Sequence, residues 1–133
     1  MSPFVLDSFA ILALLNREPG ADRVRAILDG VVAGTCHALM CAANLGEVFY
    51  IVKRRKGEED AHRVVAYLRS IGVVIVPLDE RMALVAGGLK AEHPMSFADC
   101  MAGALALDRS ATLVTADPEF HAIEGLVTIE WLR

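Results

Sequence analysis

Along the chain, short apolar runs alternate with longer segments whose apolar residues recur every three or four positions. "PFVLD" is a brief apolar run closed by Asp7, and "SFAILALLN" follows at once with Phe9, Leu12 and Ala13 spaced for a helix face. A strand passing directly into a helix is the expectation. "GADRVRAILDGV" sets Val24, Ile27, Leu28 and Val31 on one helical face, and "TCHALMC" reads as a weaker strand or turn. "AANLGEVFYIVKRRK" repeats the helical spacing with Leu45, Val48, Phe49 and Val52, and "EEDAHRVVAYLRSIG" does so with Val64, Leu68 and Ile71. The two predict a helical hairpin joined near Gly57. "VVIVP" is a β-branched strand, and "DERMALVAGGLKAEH" is a helix weakened at Gly87 and Gly88. "SFADCMAGALALDRS" is a helix, "TLVT" a strand, "DPEFHAI" the start of a short helix and "VTIEWL" a closing strand. Apolar strands alternating with helices predict an α/β fold with a central, mainly parallel sheet.

Composition narrows the picture. The 133 residues, 55% hydrophobic and 23% charged, suit one domain over 1–133 with a real core. Mean hydropathy of +0.45 is high for so small a chain, and the surplus apolar surface predicts self-association, in the simplest case a homodimer. No membrane span is expected, because the most apolar region, Val31 to Val52, is broken by His37, Asn44, Gly46 and Glu47. The opening "MSPFVLDSF" lacks the basic start of a signal peptide, so a cytoplasmic location is expected. Cys36, Cys41 and Cys100 are odd in number and sit in apolar settings, which reads as buried thiols rather than a disulfide framework or a zinc cage. With a net charge of −4, any pull toward nucleic acid must be local. The local candidate is the run Lys53 to Lys56, with Lys53 and Arg54 as phosphate contacts. The same run also suits a helix C-terminus before Gly57.

In parallel sheets, ligands gather beyond the carboxyl ends of the strands, which directs attention to four acids. Asp7 ends the first strand, Asp117 follows "TLVT", and Asp99 opens a helix packed into the same layer. Each aspartate also suits a helix start: Asp7 as an N-cap, "DPE" at 117–119 as a cap with Pro and a first-turn acid, and Ser96 with Asp99 as a capping box. Glu47 is different. It is the one charge in "AANLGEVFYIV", well inside a helix, and such a carboxylate is costly unless paired, protonated or metal-bound. Arg54 or Arg55 would be its partner if it were merely an acid at the edge of the buried stripe.

"VLDSFAILALL", "NLGEVFYIV", "SFADCMAGALA" and "LVTADPEF", in that order, resemble the four acidic motifs of the PIN domain, and the chain's size resembles that of VapC-type toxins. The resemblance spans nearly the whole chain. It implies a three-layer fold with a five-stranded sheet flanked by helices, and a carboxylate cluster that binds Mg²⁺ or Mn²⁺ and cleaves RNA. Carried onto this sequence, Asp7, Glu47, Asp99 and Asp117 are the cluster, with Ser8 and Thr115 as supporting hydroxyls. It also implies a small antitoxin protein as partner, expected in an apolar groove beside the 42–72 hairpin. Two positions depart from the pattern. Phe9 stands where a second small hydroxyl residue is common, and Gly103 where some relatives carry a further acid, one turn after Asp99.

The chemistry is readable without the resemblance. Oxygen ligands without histidine or thiolate favour Mg²⁺ or Mn²⁺ over zinc. Asp7 and Asp99 are expected as principal ligands, with Asp117 and Glu47 completing the shell or holding the attacking water. Two rival readings stand beside a ribonuclease. A haloacid-dehalogenase-type phosphatase needs a second aspartate two residues after the first, where this chain has Phe9. A catalytically silent binding module, its acids serving only as helix caps, would bind no metal.

Overall fold

Five short strands form one wholly parallel sheet in the computed structural model, which describes residues 2–133. They are β1 (Phe4–Leu6), β2 (Ala38–Cys41), β3 (Val74–Val76), β4 (Thr112–Thr115) and β5 (Ile129–Trp131), in the spatial order β3-β2-β1-β4-β5. Register is set at the centre by Val5 beside Leu39 on one flank and Leu113 on the other. Six α-helices flank the sheet: α1 (Ser8–Leu15), α2 (Ala21–Ala33), α3 (Ala42–Lys56), α4 (Glu58–Ile71), α5 (Glu80–Glu92) and α6 (Phe97–Arg109). A 3-10 helix, Pro118–Ile123, links β4 to β5.

Alternation along the strands sends successive side chains to opposite faces, and both faces are covered. Val5, Leu39 and Leu113 join Leu105, Phe120 and Ile123 in the core beneath α5, α6 and the 3-10 helix. Leu6, Met40 and Val114 join Ile11, Ile27, Val48 and Leu68 in the core beneath α1 to α4. This is why the strands read as continuous apolar runs. The "TCHALMC" segment settles as a strand because Ala38 to Cys41 are buried between neighbours on both sides.

The expected hairpin forms from α3 and α4, and Gly57 turns it at φ 97°, a conformation that favours glycine. Helix α5 runs unbroken through Gly87 and Gly88. One face differs from expectation: α1 buries Ser8, Ala10, Ile11, Ala13 and Leu14, while Phe9 is 44% exposed and Leu12 is half-buried. The strand enters α1 with no intervening loop, and the Asp7 side chain caps it through the Ala10 amide, so the helix cannot rotate to bury Phe9. The three cysteines are free; Cys41 and Cys100 are buried as expected, whereas Cys36, in the turn after α2 with its thiol on the Ile27 carbonyl, is only half-buried. Among the described residues no helix is long and apolar enough to cross a membrane.

Strand order reverses between β1 and β4. In open parallel sheets a crevice forms beyond the carboxyl ends of the strands at such a switch point. Asp7 leaves β1 there, and Thr115 and Asp117 leave β4 there.

Candidate functional site

Asp7 is 1% exposed, and both its carboxylate oxygens are engaged. Oδ1 accepts the Ala10 amide at 2.9 Å, and Oδ2 accepts the Thr115 hydroxyl at 2.5 Å. Thr115 Oγ1 in turn accepts the Asp117 amide at 2.9 Å. One hydroxyl therefore ties the ends of the two central strands together. Ser8, buried in the first turn of α1, is not among the groups bonded to Asp7.

Asp99 lies in the first turn of α6, where Ser96 Oγ caps its amide at 3.1 Å. A full capping box would send the Asp99 carboxylate back to the Ser96 amide. That amide instead donates to Glu119 Oε1 at 2.7 Å, across 23 residues. Glu119 thus completes the cap, and Asp99 keeps its carboxylate for the crevice. Asp117 caps the 3-10 helix, with Oδ1 accepting the Glu119 amide at 2.9 Å. Cap and site coincide at Asp7 and Asp117.

The outcome is a three-carboxylate cluster: Asp99, Asp117 and Glu119 each present an oxygen, and these lie within 4.8 Å of one another. Asp7 and Glu47 stand outside that group but within its field. Burial raises the Asp7 carboxyl to about 7, with Thr115 and Ala10 opposing and the charges of Asp117 and Glu47 adding to the rise. Burial also raises Asp99 to about 8, reinforced by a hydrogen bond with Asp117 and by the charges of Asp117, Asp7 and Glu119. A set of acids that resists joint ionisation is one whose repulsion a cation relieves. The donors are all carboxylate oxygens, so the cluster fits a hard divalent cation.

Glu47 is half-buried, and its Oε1 accepts Asn44 Nδ2 at 2.9 Å. Asn44, one turn earlier on α3, is fully buried, and its Oδ1 has no hydrogen-bond partner among the described residues. The alternative in which Glu47 pairs with Arg54 or Arg55 is not what forms: Glu47 takes this amide, and Arg54 lies over the Tyr50 ring, 5.0 Å from its centroid. Lys53 is exposed and faces Glu58 at 3.7 Å. At Gly103, a Cβ would come within 2.8 Å of Ile123 Cδ1, so the space a fifth acid would take is filled by core.

Sequence reasoning missed Glu119 and Asn44. Glu119 was legible only as a first-turn acid, since its part depends on the 3-10 helix folding back onto the start of α6. Asn44 left a fainter signal, a lone amide three residues before Glu47, at the spacing that brings helical side chains together.

The PIN domain family pattern matches residues 4–126. The chain belongs to the PIN domain family. No curated protein sequence matches it. Among solved structures it is similar to VapBC2 from Rickettsia felis bound to a promoter DNA fragment, with TM-score 0.77, 18% identity and 98% of each chain covered. DNA-bound VapBC from Salmonella typhimurium matches with TM-score 0.75, 25% identity and 98% of each chain. Mycobacterium tuberculosis VapC20, described as a sarcin-ricin loop cleaving toxin, matches with TM-score 0.72 and 21% identity, over 93% of this chain and 96% of that one.

Proposed function

We propose that this chain is a divalent-cation-dependent endoribonuclease and the toxin of a toxin–antitoxin pair. The observation that carries the proposal is the convergence of Asp99, Asp117 and Glu119 within 4.8 Å beyond the switch point of the sheet. The VapBC relatives and the RNA-cleaving VapC20 toxin support the class of activity. In this reading Asp99, Asp117 and Glu119 hold Mg²⁺ or Mn²⁺, and Asp7 adds its charge from behind them. The bound ion supplies neutralisation of the phosphodiester and a more acidic water for in-line attack. Glu47, oriented by Asn44, holds the attacking water, and Thr115 fixes the Asp7 carboxylate.

The antitoxin is assigned to a cleft of about 170 Å³ between α1, α3 and α4. Leu12, Leu15, Ile51, Val52 and Val64 give it an apolar floor; Arg55 and Lys56 are the cations of its rim, where Arg63 is paired with Glu59 and Asp60. That combination suits an apolar segment carrying acids. A homodimer remains part of the proposal: Leu84 on α5 is 71% exposed and Phe97 at the start of α6 is 49% exposed.

The test is to map RNA 5′ ends after brief expression of the wild type and of Asp99→Asn, together with cleavage of purified RNA with Mn²⁺ and with chelator. New ends confined to the wild type, and cleavage lost with chelator, are expected. Equal ends in both proteins would remove the acidic cluster from the reaction.

A further inference from the structure

We propose that His121 and Trp131 form a seat for an unpaired nucleobase next to the carboxylate cluster; the proposal rests on the ribonuclease reading above. The two rings are stacked, with centroids 4.3 Å apart and planes inclined by 23°. Trp131 is half-buried and packs against the core beneath α5 and α6, so the inner ring is anchored. The His121 side chain is 61% exposed and is held by a hydrogen bond from Nδ1 to Glu124. The imidazole is fixed on its inner side and open on its outer face.

Its place in the fold ties it to the site. Trp131 pairs in register with Thr115, and the Leu132 amide donates to the Thr115 carbonyl at 2.9 Å. Partners in a parallel ladder point to the same face of the sheet, and neighbouring strands lie about 4.8 Å apart. The indole is therefore one strand away from the hydroxyl that bonds Asp7 and accepts the Asp117 amide. His121 is two residues beyond Glu119 in the same 3-10 helix. The proposal places the base next to a carboxylate-bound phosphate on the imidazole, two residues along this helix from Glu119.

Electrostatics makes such a contact useful. The chain carries a net charge of −4, and its cluster repels a phosphate backbone unless a cation is present. Stacking on an aromatic face works without charge and accepts any base, so it retains single-stranded RNA where ionic attraction is weak.

Trp131 is the single tryptophan of the chain, so its emission reports on this position alone. The experiment uses Asp7→Asn, which leaves Asp99, Asp117 and Glu119 in place and is expected to halt turnover, a point checked first by gel, with Mn²⁺ and a short single-stranded RNA of mixed sequence. Binding is followed by anisotropy of labelled RNA and by Trp131 emission with unlabelled RNA. Expected are quenching that saturates with the anisotropy, about tenfold weaker RNA binding on adding His121→Ala, and recovery with His121→Phe. An abasic oligomer of the same length should bind equally to all three proteins. Anisotropy that rises while Trp131 emission and the His121→Ala affinity stay unchanged would overturn the base seat and leave the ribonuclease reading standing. An equal loss of RNA and abasic binding in His121→Ala would overturn it in favour of a backbone contact. No rise in anisotropy with any RNA would overturn both.

Discussion

Thr115 Oγ1 donates to Asp7 Oδ2 at 2.5 Å and so joins the ends of the two strands between which the sheet order reverses. The hydroxyl has one proton, and it is spent on Asp7 because its oxygen already accepts the Asp117 amide. This bond opposes the effect of burial on Asp7, keeping the carboxyl nearer its charged form. Thr115→Val preserves shape and removes both this bond and the acceptor of the Asp117 amide. The expected result is a loss of roughly 10- to 100-fold in cation-dependent cleavage, the range for removing a hydrogen bond that orients a group beside a metal site. Activity equal to wild type would show that Asp7 needs no fixing.

The raised carboxyls carry a stability consequence whose sign is determined. Asp7 rises from 3.8 to about 7 and Asp99 from 3.8 to about 8, so between pH 4 and 8 the folded chain binds more protons than the unfolded one. Stability from these groups is full below about pH 4 and is lost as pH rises through 7 to 8. Metal-free protein is expected to melt several degrees lower at pH 8 than at pH 5, and Asp99→Asn to flatten that difference. At pH 8, Mn²⁺ at 100 times its dissociation constant should add about 2.7 kcal/mol to the wild type. Differential scanning fluorimetry with chelator and with Mn²⁺ measures both effects; an equal Mn²⁺ shift in Asp99→Asn would refute the site.

Much of this was legible in the chain, for identifiable reasons. The strands and α3 followed from apolar runs and spacing, signals that depend on nearest neighbours in sequence. Asp7, Asp99 and Asp117 could be placed at one sheet edge because a parallel topology sends strand ends there. The buried face of α1 was not legible, since Phe9 and Ala10 are both apolar and only the direct entry from β1 decides between them. Glu119 was hidden for a different cause. Its bond to the Ser96 amide joins residues 23 apart, and a local reading assigned that bond to Asp99.

Glu119 combines two tasks that a single substitution can separate. Glu119→Gln keeps an oxygen to accept the Ser96 amide and removes the negative charge facing Asp99. The metal-free protein should then melt at or above the wild-type temperature, because a repulsion is relieved. Its affinity for Mn²⁺, measured by isothermal titration, should fall by about tenfold or more. A lower metal-free melting temperature with unchanged Mn²⁺ affinity would make Glu119 a cap and nothing else.

RNA must approach an acidic cluster on an acidic protein, so cations have to guide its backbone. Arg54 lies seven residues beyond Glu47 on α3, about 10 Å along the same helix, with its guanidinium over the Tyr50 ring. That stacking fixes the cation and leaves its donors free for a flanking phosphate. Arg54→Ala is expected to weaken RNA binding and to lower the slope of affinity against salt by about one phosphate contact, while the folded structure persists. Asp7→Asn should abolish cleavage at an unchanged salt slope. Titrations at several salt concentrations distinguish positioning from chemistry. If Arg54→Ala changes neither affinity nor slope, Arg54 holds no RNA phosphate. The backbone path is then to be sought at the cleft where Arg17, Arg25 and Arg133 gather beside the start of α2, with Arg23 there held by Glu130.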